Sequence, residues 1–272
     1  IYSVKNIFIL LFSSVFIVGC LHVHTTIDLK KDGSGSITEE VLFSNEVVSY
    51  MQEFSKSFND STSKSDEMTL YNIPQLYKDA KNWGEDVTYH SVENIKTDSL
   101  QGYKVVYYFK DINKVKISQN VNSKVSMSDT IAKKSSLPYA QFKFVKGTPY
   151  VLYISITPEK SPEEQKEENK SETSDTANQN FAMMESFIEM FKQIKISLDI
   201  NFDGNIIETN ASNYNNSKLT LFNIEFAKFL DIPEKLEEFK SIKPENLTEI
   251  EKIIKDIPGL QIETKNELVV KF

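Results

Sequence analysis

The chain has 272 residues and a formal net charge of −8, from 39 acidic residues against 31 cationic side chains, all of them Lys. Without Arg it cannot fork a guanidinium onto phosphate or guanine, and its acidity repels a polyanion, so nucleic-acid binding is excluded. A single Cys excludes an intramolecular disulfide and any multi-cysteine metal site, while 40% hydrophobic residues at this length is ample for a sizeable core.

The N-terminus is unlike the rest. Lys5 is the only charge in the first nineteen residues, and Ile7 to Val18 is apolar apart from Ser13 and Ser14. That run is shorter than the roughly 20 residues a bilayer-spanning helix needs, and it fits the apolar region of a secretion signal. It ends Ile17-Val18-Gly19-Cys20, which resembles a bacterial lipobox. Gly19 is small enough for a signal-peptidase pocket, and the Cys20 thiol supplies the sulfur for a diacylglyceryl thioether. Residues 1–19 are expected to be removed, which takes away Lys5 and no acid and moves the charge from −8 to −9. Membrane attachment through acylated Cys20 then anchors a water-soluble body.

In the body, residues 20–157 read as the N-terminal part of an α+β fold. His22 to Leu29 alternates polar and apolar residues, Asp32-Gly33-Ser34-Gly35 turns, and Ile37, Val41 and Phe43 continue the apolar face with Glu39 interrupting it. Asn45 is placed to cap a helix through Phe58, with Val47, Tyr50, Met51, Phe54 and Phe58 on its inward face. After a polar loop at 59–67, a short helix runs from Pro74 to Trp83, stopped by Gly84, with Leu76, Ala80 and Trp83 inward. Strands follow at 87–95 and 103–109, then a short extended piece carrying Ile112, Val115 and Ile117. Beyond a polar stretch at 118–136, residues 139–145 and 150–157 read as a hairpin around Lys146-Gly147-Thr148-Pro149.

Residues 158–180 lack large apolar side chains and form a disordered polar insertion, a linker or a loop within one fold. Residues 181–272 form the C-terminal part. A helix is expected over 181–194, then the strictly alternating strand Ile194 to Phe202, an Asp203-Gly204 turn into 206–209, and a strand at 219–224. Helical patterns follow at 226–230, 233–239 and 246–257, and residues 260–272 close the chain as strand or hairpin. The sum is α+β, a mostly antiparallel β-sheet packed by several amphipathic helices.

Few residues carry chemistry. Asp199, Asn201 and Asp203 imitate a calcium loop, but the twelfth position is Asn210 and a strand precedes it, so they are better read as the polar face of that strand. The turn at Lys30 to Thr38 imitates one too, with a Lys where an acid belongs. His22 and His24 share a strand face and make at most half a metal site, since His90 is the only other His. No G-x-S-x-G, H-E-x-x-H or P-loop occurs, so neither an enzyme nor a cofactor is expected. The function expected is a non-enzymatic interaction or structural module. A binding module for a lipid or other apolar ligand, built from Met183, Met184, Phe54 and Phe58, and an envelope hydrolase are the alternatives.

The lipobox, the early Asp32-Gly33-Ser34-Gly35 hairpin, the stretch Gly102 to Asn113, the hairpin at Lys146-Gly147 and the segment Asp203 to Ala211 occur in this order. Together they resemble a family of bacterial lipoproteins and, more distantly, the extracytoplasmic β-rich domain of LppM-type lipoproteins. That resemblance implies an extracytoplasmic envelope protein and supplies no catalytic residues. Leu21 carries no acidic retention signal, which by resemblance to enterobacterial sorting rules implies the outer membrane where a cell has one.

Overall fold

The computed structural model describes residues 21–58, 69–118, 139–157, 193–230, 232, 234, 257 and 259–272. The signal segment with Gly19 and Cys20, the polar insertion at 158–180, and the expected helices at 181–194, 233–239 and 246–257 fall wholly or almost wholly outside those residues, the described Ile194 being strand. So do the polar stretches at 59–67 and 119–136 and the side chains of Phe54, Phe58, Met183 and Met184.

Thirteen strands are described: β1 (Leu21–Leu29), β2 (Gly35–Ser44), β3 (Thr88–Lys96), β4 (Leu100–Phe109), β5 (Lys116–Ser118), β6 (Tyr139–Val145), β7 (Val151–Thr157), β8 (Ile194–Phe202), β9 (Glu208–Thr209), β10 (Tyr214–Asn215), β11 (Lys218–Glu225), β12 (Leu260–Ile262) and β13 (Glu267–Lys271). The helices among the described residues are α1 (Asn45–Phe58), α2 (Ile73–Asn82), the short α3 (Phe226–Leu230) and one 3-10 turn at Ile112–Lys114. Strand therefore dominates, and the expectation of several packing helices was too generous.

The first sheet runs β10-β11-β8-β1-β2-β4-β3, with β12 also on β11, and the second runs β5-β6-β7-β13-β9. Strands from both sides of residues 158–180 share these sheets. β8 pairs with β1, and β13 pairs with β7. Every pairing is antiparallel except β1 with β8. β12 and β13 lie in different sheets, so the end of the chain is not a hairpin.

The period of two decides the faces. Leu21, Val23, Thr25, Ile27 and Leu29 point inward along β1, and His22, His24, Thr26 and Asp28 point outward. β8 repeats this in register, with Ile196, Leu198, Ile200 and Phe202 beside Val23, Thr25, Ile27 and Leu29. Gly102 on β4 is required by its neighbour, since a Cβ there would lie 1.9 Å from the Val41 carbonyl oxygen.

The main core joins the two sheets. Ile27, Ile37, Tyr107, Leu198 and Leu219 of the first share one buried cluster with Phe142, Leu152, Ile154 and Leu268 of the second. Phe202 and Phe272 bridge the sheets with ring centroids 4.7 Å apart, and Phe144 and Tyr150 stack beside Phe272. A smaller cluster of Leu21, Val23 and Val41, flanked by Phe43, Tyr103 and Ile194, occupies the Leu21 end of the first sheet. Between the two lies a polar level where Thr25 pairs with Glu39, both almost fully buried.

The helices dock as their caps allow. Asn72 accepts the Gln75 N–H at the start of α2, whose Leu76 and Ala80 are buried with Trp83 just beyond its end. At α1 two expectations fail. Ser44, not Asn45, accepts the Val47 N–H, while the Asn45 amide donates to the Asp98 carbonyl. Among the described side chains of α1, Val47 and Val48 are buried, and Tyr50 and Met51 face out. Ile112, Val115 and Ile117 are buried, but a 3-10 turn carries the first of them rather than extended chain.

Candidate functional site

The outward face of β1 and β8 gathers the polar residues that sequence spacing alone leaves apart. Parallel register sets His24 beside Ser197 and Thr26 beside Asp199. The His24 Nδ1 lies 2.5 Å from Ser197 Oγ, and its Nε2 lies 3.0 Å from Thr26 Oγ1. A neutral imidazole has one donor and one acceptor nitrogen, so one hydroxyl donates to it and the other accepts. Asp199 sits deeper. The Thr220 hydroxyl donates to its Oδ1 at 2.6 Å, the Lys218 ammonium lies 3.3 Å from Oδ2, and His24 Nε2 stands 3.9 Å away. Next along the face, Asn201 donates to Asp28 at 2.9 Å and the Ser36 hydroxyl donates to the same carboxylate.

Ser197, His24 and Asp199 are the residue types of a nucleophilic triad, yet the geometry is not that of one. The carboxylate spends its close contacts on Thr220 and Lys218 rather than orienting the imidazole. β8 is paired on both sides, so its backbone N–H groups are consumed in ladders and cannot form an oxyanion hole. What the arrangement does chemically is satisfy a nearly buried carboxylate and knit β1, β8 and β11 across their outer face.

The sequence-flagged metal candidates separate. His22 faces Lys195, which is itself 3.8 Å from Glu225. Burial, and secondarily the Lys195 charge, hold the His22 imidazole below its usual range, with Glu225 opposing. A neighbouring ammonium also opposes a metal cation. Asp199 and Asn201 are engaged as described, and Asp203 lies exposed in the turn after β8, where its N–H donates to the Leu29 carbonyl. Among the described residues no group of three or more His, Cys, Asp or Glu comes within reach of one ion. In the Lys30 turn, Asp32 accepts from the Ser34 amide and hydroxyl, and these bonds lower its pKa.

A second surface was not foreseen. β3 ends the first sheet, and α2 lies beside it. On α2, Ile73 and Tyr77 are one turn apart and 46% and 57% exposed. The Tyr77 ring packs 4.6 Å from Tyr89 of β3, and Tyr89 meets Tyr107 edge-on at 6.4 Å. Burial, reinforced by Asp79, pushes the Tyr107 hydroxyl well above the usual tyrosine range. On the other face His90 stacks on Tyr108 at 4.3 Å, at the bulge where β3 slips against β4. The aromatic excess of 89–109 is the sequence signal for this surface, but only α2 packing shows which rings reach solvent.

No protein-family model matches the chain, and no curated protein sequence matches it. Among solved structures, the NMR structure of the folded domain of Mycobacterium tuberculosis LppM is similar over 77% of this chain and 85% of its own, with a TM-score of 0.32 and 10% sequence identity. A likeness that weak does not extend to function. No helix among the described residues is long and apolar enough to cross a membrane.

Proposed function

We propose that this chain is a bacterial envelope lipoprotein, acylated on Cys20, whose β-rich body is a non-enzymatic interaction module. The observation that carries the reading is the aromatic surface of α2 and β3. Ile73 and Tyr77 offer an apolar, rigid patch at the end of a sheet, and the Tyr89 ring behind them fixes its shape. Tyrosine in that setting gives contact area at low entropic cost, as anchors of protein interfaces do. The patch stands level with Ile37 through the Tyr107 and Tyr89 pairing, six residues along β1 from Leu21 and so about 20 Å from that end. A partner in the envelope reaches it without competing with the lipid anchor.

Two measurements test this together. A photo-crosslinking amino acid at position 77 in living cells is expected to give a discrete protein adduct, and the same probe at Tyr214, on the opposite edge of the sheet, is expected to give none. Cys20→Ser is expected to abolish palmitate incorporation and release the body from the membrane fraction. Identical adduct patterns at the two positions overturn the interaction surface; an unchanged membrane fraction for Cys20→Ser overturns the anchor.

A further inference from the structure

We propose that the body stands upright on the phospholipid surface, on the end of the first sheet that begins at Leu21, held there because no spacer separates the acylated residue from the fold. This rests on acylation of Cys20. Leu21 follows Cys20 in the chain and is already the first residue of β1. It is paired at once on both sides, with Phe43 of β2 and with Ile194 of β8, and it is buried. Consecutive Cα atoms are about 3.8 Å apart, so a lipid on Cys20 draws this end of the sheet to within a few ångströms of the headgroups. A flexible linker would let the body roam, since each added residue extends the reach by up to about 3.5 Å. Here the two-sided ladder leaves no such freedom.

The chemistry of that end suits the contact. Its interior is the small apolar cluster of Leu21, Val23 and Val41, rimmed by the half-buried Phe43 and Ile194. Among the described charges beside it, Lys195 and Lys228 both lie within 4 Å of Glu225. The turn before β4 lies at the same end, because Phe43 pairs with Gln101 and Ser44 with Leu100. The turn after β1 lies at the other, a nine-residue strand and about 30 Å away.

Acylated full-length protein is reconstituted in phosphatidylethanolamine–phosphatidylglycerol vesicles carrying a headgroup spin label. Because Cys20 is consumed by lipid, Ser99→Cys and Lys31→Cys each provide one thiol for an environment-sensitive fluorophore; both positions are exposed, one at each end of the sheet. Quenching at position 99 is expected to exceed that at position 31 at least threefold. A twelve-residue Gly-Ser spacer inserted between Cys20 and Leu21 is expected to bring the two within a factor of about 1.5 while vesicle binding and palmitate content stay unchanged. Equal quenching without the spacer, or a difference that survives it, overturns the upright seating. Loss of vesicle binding by every variant, with no palmitate, instead overturns acylation, and the seating falls with it.

Discussion

The two ends of the first sheet are built to different standards. Far from Leu21, two sheets close on each other, and residues such as Ile27, Leu152, Ile154 and Leu268 are wholly removed from solvent. At the Leu21 end, among the described residues, Leu21, Val23 and Val41 form a smaller cluster rimmed by partly exposed Phe43, Tyr103 and Ile194, and Ile196, which pairs with Val23, is buried as well. Thr25 and Glu39 lie between them, and among the described residues Tyr103 packs against both clusters. Burial free energy scales with apolar area removed from water, so truncations are expected to cost most in the sealed two-sheet region, and less in the smaller cluster at the Leu21 end, the stem. The proposed placement puts the smaller cluster beside the membrane and the sealed two-sheet core on the side presented to partners.

Cavity substitutions test the division with the largest effect. Ile154→Ala is expected to cost about 2–5 kcal/mol in denaturant unfolding, because its site is sealed by both sheets. Val23→Ala, in the stem, is expected to cost about 1–2 kcal/mol. Equal costs would mean that the polar level at Thr25 and Glu39 does not separate two cores. The outer face sharpens the picture at intermediate size. Thr220→Val keeps the shape but removes the hydroxyl that donates to Asp199, and it is expected to cost about 1–3 kcal/mol. Lys218→Ala, whose side chain is half exposed, is expected to cost less than about 1 kcal/mol. If the order is reversed, the carboxylate is held by charge rather than by the hydroxyl.

The smallest expected effect is a pH dependence confined to the stem. The His22 pKa is lowered in the fold, first by burial and then by Lys195, so the unfolded chain takes up a proton at higher pH than the folded one. Its contribution is complete above about pH 6.5, the unfolded value, and is lost as pH falls below that. With allowance for solvent screening the loss is expected to be under about 1 kcal/mol between pH 7.5 and 5.5. Urea midpoints at the two pH values for the parent and for His22→Gln check it, the variant lacking that share of the slope. Lys195→Gln is expected to raise the imidazole pKa seen by NMR.

Much of this fold can be read from local pattern. The alternation of Leu21 to Leu29 and of Ile194 to Phe202 assigns each side chain to its face, and the Asp32-Gly33 and Lys146-Gly147 turns lie where the hairpins reverse. What fails is whatever needs a distant partner. Helical spacing groups Val47, Tyr50 and Met51, yet Val47 and Val48 are the buried pair and Tyr50 and Met51 are left in solvent. His24, Ser197 and Asp199 are unremarkable in sequence because 173 residues separate His24 from Ser197 and only parallel pairing unites them. Asp199 shares its strand face with Asn201 yet is buried rather than solvated, since Thr220 and Lys218 come from β11 to cover it.

For a chain exported and acylated as proposed, the parallel pairing of β1 with β8 has a consequence. A polypeptide leaving a secretion pore N-terminus first delivers β1 to β4 early, and these can pair into an antiparallel sheet of order β1-β2-β4-β3. One flank of β1 then stays open, with its N–H and C=O groups unmatched, until residue 202 has emerged. Closing that flank spans most of the molecule, the kind of contact that slows folding. Attachment of fatty acid at position 20 needs only the first segment, so on this account the chain is moored before it is finished, and a soluble chaperone has its longest opportunity at the unmatched flank of the strand nearest the bilayer.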